Sequence, residues 1–449
     1  MSRLVVVSNR LPLGPNPSGG LVVALADALD GGGLWIGNSG KTRSHAGDTL
    51  TAHDGAPFDR LSYDLSAREH REYYLGFSNA VLWPLCHGRV DLIEVRTEDL
   101  HTYRNVNRKV ARIVAGQLRE DDRIWVQDYH HLPLAHELRK LGVRNPIAFF
   151  LHIPFPGPMA FQALPNAAET ARWIVDYDLF GLQAKRHVAA CLQALRTVEG
   201  AEFGGEGRVT LGGKTVEIAS FPIGIDVDDF LAHAEGAQPR PDRPDTIIGV
   251  DRLDYSKGLP ERFRAFESLL TRRPDLHGEI ELLQIAPPTR GEVRAYREIR
   301  EEIEGLTGAI NGAHADLDWI PIRYIHRPVP RERLAKLFRR ARIGLVTPLA
   351  DGMNLVAKEF VAAQDPADPG VLILSKFAGA AEQMTEALIV NPHDMEEMVH
   401  HIVTARSMPL RERQRRHEAL ITSLRENDVH QWRRSILMSL DRISGARDG

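Results

Sequence analysis

Residues Ile343–Ala363, IGLVTPLADGMNLVAKEFVAA, decide the fold. The stretch opens on a short apolar run and turns at Pro348, Asp351 and Gly352. From Asn354 its apolar positions take helical spacing. An apolar strand, a turn and then a helix make one βα unit of a parallel sheet that is covered on both faces. The unit recurs in both directions along the chain. Strands are expected at Leu4–Ser8, Arg123–Val126, Ile147–His152, Leu179–Leu182, Thr246–Val250, Ile280–Ile285 and Val371–Ser375. Helical spacing lies between them, over Thr97–Leu118, His131–Leu141, Pro260–Thr271, Arg290–Leu306 and Glu332–Arg340. The fold class is therefore α/β, with doubly wound sheets carrying helices on both faces.

A chain of 449 residues is too long for one core, and two or three domains are expected. The stretch His233–Pro244 holds three prolines and little apolar content, which suits a linker. This gives a first domain at 1–232, a linker at 233–245 and a second domain at 246–430. A terminal helix and polar tail follow at 431–449, able to cross back to the first domain.

Composition removes several classes. The 56 basic and 60 acidic side chains nearly cancel, so no nucleic acid or anionic membrane is expected as partner. Any anionic ligand must be caught by local basic groups. Two distant cysteines, Cys86 and Cys191, exclude a disulfide framework and a thiolate metal cluster. The apolar run in MSRLVVVSNRLPLG is too short for a signal peptide, and no segment approaches the ~20 apolar residues of a membrane span. A cytoplasmic location is the expectation.

In doubly wound sheets the ligand lies beyond the carboxyl ends of the strands. Five strand ends carry chemistry. After Thr347, Gly352 permits close backbone approach, and the helix start offers N–H groups to phosphate. Asp351 can accept sugar hydroxyls, and Glu359 can hold a ribose diol; the competing reading is an N-capped turn with a solvated Lys358–Glu359 pair. After Val250, Arg252 and Lys257 can clamp a diphosphate, unless they form a surface network with Asp251 and Asp254. Arg10 follows the first strand, as either a phosphate ligand or an ordinary surface arginine, and Ser18-Gly19-Gly20 is either a phosphate loop or an ordinary turn. Asp128, His130, His131 and His152 follow two further strands without metal-cage spacing, so no metal and no cofactor are expected. His152 precedes the rigid Ile-Pro-Phe-Pro and can donate to a sugar hydroxyl. The chain has no G-x-S-x-G elbow, Walker loop or G-x-G-x-x-G fingerprint.

Taken in order, MSRLVVVSNRLP, EYYLGFSNAVLWPLCH, QDYHHLP, FFLHIPFP, PIGID, VDRLDYSKGLPERF, TRGEVRAYREIR and LVTPLADGMNLVAKEFVAAQ resemble the trehalose-6-phosphate synthase family from Met1 to about Asp441. The resemblance implies a GT-B fold, two Rossmann-like domains facing an interdomain cleft. It also implies metal-free, retaining transfer of glucose from a nucleoside diphosphate glucose to glucose 6-phosphate. Arg252 and Lys257 match the diphosphate pair. Asp351, Gly352, Met353, Asn354, Leu355 and Val356 match the donor loop, and Glu359 the ribose carboxylate. Gly20 matches a mobile loop closing on the donor. Asp128 and His152 match residues around the transferred glucose and the acceptor, while Arg10, Tyr74, Trp83 and Arg290 match the acceptor site. A homo-oligomer is implied by the same analogy.

Two departures stand out. The family's Trp-x-Gly-Trp-Ser-Gly reads Trp35-Ile36-Gly37-Asn38-Ser39-Gly40 here, and AKRHVAAC after Gln183 lacks the usual polar pattern. Asn38 keeps open a same-fold transferase with another phosphorylated acceptor, including a cyclitol-coupling enzyme. A non-catalytic sugar-phosphate sensor is the further alternative. The nucleobase of the donor is left open.

Overall fold

The computed structural model describes residues 3–13, 25–26, 28–29, 32–44, 46–240, 244–291 and 293–445. The chain divides into two compact units, Met1–Pro222 together with His430–Gly449, and Ile223–Val429. Both are α/β.

The first unit is built on a ten-stranded sheet in the order β3-β4-β2-β1-β5-β6-β7-β10-β9-β8. Its parallel body comprises β1 (Leu4–Arg10), β2 (Leu34–Arg43), β4 (Asp59–Ser66), β5 (Arg123–Gln127), β6 (Ile147–Phe150), β7 (Leu179–Leu182) and β10 (Lys214–Ser220). The short β3 (Thr51–His53), β8 (Glu202–Phe203) and β9 (Arg208–Leu211) pair antiparallel at its edges. Central strands such as IAFF and LFGL are wholly buried, as a sheet covered on both faces requires. The helix Val429–Gly445 supplies part of that cover. Its Trp432 ring lies 5.0 Å from Trp125 and meets Phe150 edge-on at 5.1 Å, while Arg123 binds Asp441 at 2.7 Å.

The second unit is a six-stranded, all-parallel sheet in the order β13-β12-β11-β14-β15-β16. These are β11 (Asp245–Val250), β12 (Ile280–Ile285), β13 (Ile322–Ile325), β14 (Ile343–Val346), β15 (Val371–Ser375) and β16 (Leu388–Val390). In chain order this is the Rossmann arrangement 3-2-1-4-5-6, and its winding reverses between β11 and β14. In the first unit the reversal falls between β1 and β5. At these two places loops leave neighbouring strands in opposite directions and open a crevice.

The domain boundary differs from the sequence expectation. Residues 223–232 belong to the second unit, and so do the described residues of the stretch that reads as a linker. The reason is specific pairing. Lys358 Nζ donates to the Ile223 carbonyl at 2.7 Å, Arg331 binds Asp229 at 2.7 Å, and Arg240 binds Asp368 at 2.9 Å. Proline content limits regular structure but does not stop flanking side chains from docking.

Helix ends also moved. Arg290–Leu306 reads as helical, but the helix runs Arg294–His314, because Arg290 sits at φ 46° in a turn. The periodicity over His70–Leu82 gave no expectation of its own, and this segment forms a 13-residue π-helix.

Candidate active site

In the second unit, the loops after β11 and β14 are locked side by side. Leu349 N–H donates to the Ser256 carbonyl at 2.8 Å. Gly258, at φ 66°, packs so closely that a Cβ there would lie 2.3 Å from the Thr347 carbonyl oxygen. Beneath both loops Arg262 is fully buried, donating to Asp251 at 2.8 Å, Gln284 at 2.7 Å and Thr347 at 3.1 Å. One guanidinium therefore ties together the ends of β11, β12 and β14. Burial raises the Asp251 carboxyl, and the Arg262 charge pulls it back.

Above this base, Lys257 Nζ donates to Asp351 Oδ2 at 2.5 Å, and Asn354 Nδ2 donates to the same oxygen at 3.0 Å. Asn354 sits at φ 85° and caps the helix Leu355–Ala363, its Oδ1 accepting from Ala357 N–H at 3.1 Å. The first N–H groups of that helix have no intrahelical partner and can face an anion. Met353 is buried, and its carbonyl accepts from Ala380 N–H at 2.8 Å. Gly379 makes this approach possible, since a Cβ there would fall 1.9 Å from the Gly352 carbonyl oxygen. Leu355 and Val356 are half-buried, and Arg252 is exposed beside Asp251.

Lys358 and Glu359 do not form the solvated pair that a plain turn would carry. Lys358 is fully buried between the Ile223 carbonyl and Gln383 Oε1, each at 2.7 Å, and burial lowers its pKa to about 7. Glu359 is half-buried; desolvation pushes its carboxyl up to about 7, against the pull of Arg331. Lys257 pairs with Asp351. Asp251 pairs with Arg262, and Asp254 accepts from Ser256 N–H and Tyr296 OH. Arg290 donates to Tyr296 OH at 2.6 Å and lies 3.7 Å from Asp254, so its guanidinium is anchored inside the second unit.

In the first unit, the ends of β1, β5 and β6 gather a second group. Asp128 follows β5 at φ 69°, ψ 165°, a region that only glycine adopts without strain. Its Oδ1 accepts from the backbone N–H of His152 at 3.2 Å. The His152 ring meets Phe150 edge-on, and burial lowers its pKa to about 3, so the imidazole is neutral. Its Nε2 lies 2.9 Å from Gln127 Oε1. Tyr74, on the π-helix, stacks on His130 at 5.7 Å with 11° between planes. Trp83 is buried and stacks on His87 at 4.2 Å. Arg10 is exposed, with its guanidinium against Gly40. Asn38 is buried, donating to Asn9 Oδ1 at 3.1 Å and accepting from Gly40 N–H at 2.8 Å. Tyr73 OH donates to the same Asn9 oxygen at 3.1 Å. Asn38 thus ties β1 to the β2 irregularity at Gly40, and Asn9 carries the link on to the π-helix.

Sequence reasoning brought Lys257, Asp351 and Asn354 together, and Asp128 with His152. Gly20 lies outside the described residues. It missed Arg262, Gln284, Tyr296, Gly379 and Gln127. Only Gly379 carried a signal, as the glycine of FAGA just after a strand. The others are polar residues inside strands or helices, where a pattern search reads them as solvated. Among the described residues no three His, Cys, Asp or Glu gather as a metal-ligand set, and no helix is long and apolar enough to cross a membrane.

Two Rossmann-like units, with polar groups massed where each sheet reverses its winding, define an α/β protein of the GT-B class. The model of Glycosyltransferase family 20 matches residues 15–442, and the chain belongs to that family. It is 46% identical over 456 residues to trehalose-6-phosphate synthase of Klebsiella pneumoniae, covering 99% of this chain and 96% of that one. A solved alpha,alpha-trehalose-phosphate synthase (UDP-forming) from Burkholderia vietnamiensis superimposes with a TM-score of 0.97 at 42% identity, covering 100% of this chain and 99% of the other. A UDP-forming synthase from Burkholderia xenovorans, solved in complex with glucose-6-phosphate, gives 0.92 at 43% identity, covering 98% and 100%.

Proposed function

We propose that this chain is a retaining glucosyltransferase that moves glucose from UDP-glucose to glucose 6-phosphate, giving trehalose 6-phosphate and UDP. The observation that carries the reading is the Lys257–Asp351 contact of 2.5 Å beside the capped helix start at the β11/β14 reversal. It occurs in a chain that matches synthases over 99% of its length. Uridine as the base and glucose 6-phosphate as the acceptor follow from what those relatives are named for and solved with.

In this scheme Arg252, Lys257 and the N–H groups after Gly352 take up the charge of the departing diphosphate. Asp351 meets hydroxyls of the transferred glucose, Glu359 holds the ribose, and His152 meets a sugar hydroxyl. Asp128, Arg10, Tyr74 and Trp83 serve the acceptor. The bond from glucose C1 to the diphosphate oxygen breaks, and its electron pair leaves on oxygen. The acceptor hydroxyl oxygen bonds to C1 from the same face, and its proton passes to the departing phosphate oxygen. No metal enters the scheme, because the chain's own cations neutralise the leaving group.

Nucleotide release measured across a matrix of nucleoside diphosphate glucoses and phosphorylated acceptors tests this reading. UDP-glucose with glucose 6-phosphate is expected to be the productive pair; no transfer to glucose 6-phosphate would end the trehalose assignment. The acceptor arm matters because Asn38 fills an aromatic position of the family motif. Arg252→Ala is expected to lower turnover by about 10²-fold or more with the fold intact. Near-normal turnover would remove Arg252 from the scheme.

A further inference from the structure

Gln127 closes β5 and is 1% exposed. Its amide oxygen lies 2.9 Å from His152 Nε2, while its amide nitrogen is buried with no hydrogen-bond partner among the described residues. Leaving a buried amide half-satisfied costs stability that an apolar side chain in the same place would not lose. A group kept at such a cost, one residue before the strained Asp128, marks a functional constraint rather than a packing solution.

We propose that Gln127 is a positioning residue that fixes His152 as the Nε2–H tautomer and leaves Nδ1 to accept a hydrogen bond from a sugar hydroxyl. The sugar in that statement rests on the transferase reading above. The geometry supports each step. An amide oxygen only accepts, so the ring proton facing it must sit on Nε2. The buried ring is neutral near pH 7 and carries one proton, so Nδ1 holds a lone pair. Nδ1 has no hydrogen-bond partner among the described residues. Phe150, edge-on at 4.7 Å, and the His152 backbone N–H on Asp128 Oδ1 prevent the ring from turning away. His152 therefore receives a hydroxyl hydrogen, the reverse of the donor role that its sequence context suggests. With the Gln127 amide turned round, its NH2 would face Nε2 and the proton would move to Nδ1. The two arrangements offer a sugar opposite chemistry, and a spectrum separates them.

The test uses the full chain labelled with 15N-histidine, read by long-range 1H–15N correlation without substrate, with His152→Asn to assign the signal. The wild type is expected to show the Nε2–H pattern at pH 7.5. Gln127→Leu is expected to lose that preference and to lower kcat by about 10–100-fold, with KM for glucose 6-phosphate changed less than about threefold. Gln127→Glu also only accepts; it is expected to keep the Nε2–H pattern, and it carries the test if the leucine variant does not fold. An Nδ1–H pattern in the wild type, or a leucine variant with unchanged spectrum and kcat, overturns the proposal. Because the spectrum needs no substrate, an Nε2–H pattern in a wild type that transfers no sugar would leave the Gln127 assignment standing and remove the transferase reading instead.

Discussion

Lys257 Nζ reaches Asp351 Oδ2 at 2.5 Å and so joins the loop after β11 to the loop after β14 across 94 positions of sequence. Both side chains are mostly buried, at 11% and 14% exposure. The carboxylate holds the ammonium in place before any ligand arrives, so little reorganisation is left for the reaction itself. Lys257→Ala removes the cation and its ion pair with Asp351. Turnover, measured as nucleotide release, is expected to fall by about 10²–10³-fold. Lys257→Arg is expected not to restore it, because a planar fork does not fit a point-charge site bounded by Asn354. Recovery to within about fivefold by arginine would show that charge alone suffices there.

Asp128 separates stability from activity. Its φ of 69° with ψ 165° costs about 1–3 kcal/mol in any residue but glycine. Comparing Asp128→Gly with Asp128→Ala cancels the lost carboxylate and isolates the backbone. After the entropic penalty of glycine, about 0.5–1 kcal/mol, the glycine variant is expected to melt a few degrees higher, about 2–4 °C per kcal/mol. Both are expected to lose most activity. Equal melting temperatures would mean that the conformation at 128 carries no strain.

The fold was legible because its decisive signal is local. Runs such as IAFF and LFGL are apolar throughout, and only a sheet covered on both faces buries every side chain of a strand. The donor-side group was legible for the same reason: Lys257, Asp351 and Asn354 follow strand ends, where α/β topology concentrates ligands. The supporting residues were not. Arg262 lies within a helix whose pattern gives no cue that its guanidinium bridges three strands. Gln127 reads as the polar end of RIWVQ. The π-helix at His70–Leu82 has a hydrogen-bond register that neither 3.6-residue nor two-residue periodicity reports. The boundary at 222/223 depends on where Lys358 finds a carbonyl, which lies 135 residues away.

Glu359 predicts a pH dependence. Desolvation raises its carboxyl to about 7, above its ordinary range. The folded state therefore holds a proton that the unfolded chain has released, and ionising Glu359 costs stability as pH rises from about 4.5 towards 7. For binding the sign is the opposite, since a ribose diol needs the ionised, acceptor-only form. UDP affinity, measured by calorimetry, is expected to weaken by up to about tenfold from pH 8 to pH 6. Glu359→Gln is expected to bind more weakly at pH 8 and to lack that part of the dependence. It also corrects for titration of the nucleotide itself. Parallel pH profiles in both proteins would place the ribose elsewhere.

Arg262 predicts a coupled loss. Its side chain is fully buried, and Asp251 beside it is buried as well. Arg262→Met keeps most of the volume but leaves the Asp251 carboxylate unpaired in the interior, at a cost of about 3–5 kcal/mol. The same change frees Gln284 and Thr347, so the loop bearing Arg252 and Lys257 loses its floor. The variant is expected to melt well below the wild type and to show a raised KM for the donor. Arg262→Met combined with Asp251→Leu removes the stranded charge. The pair is expected to recover much of the melting temperature but not the donor KM, because the strand ends are no longer tied. A double variant with both quantities restored would show that the network serves stability alone. A single variant melting with the wild type would show that the buried pair contributes nothing.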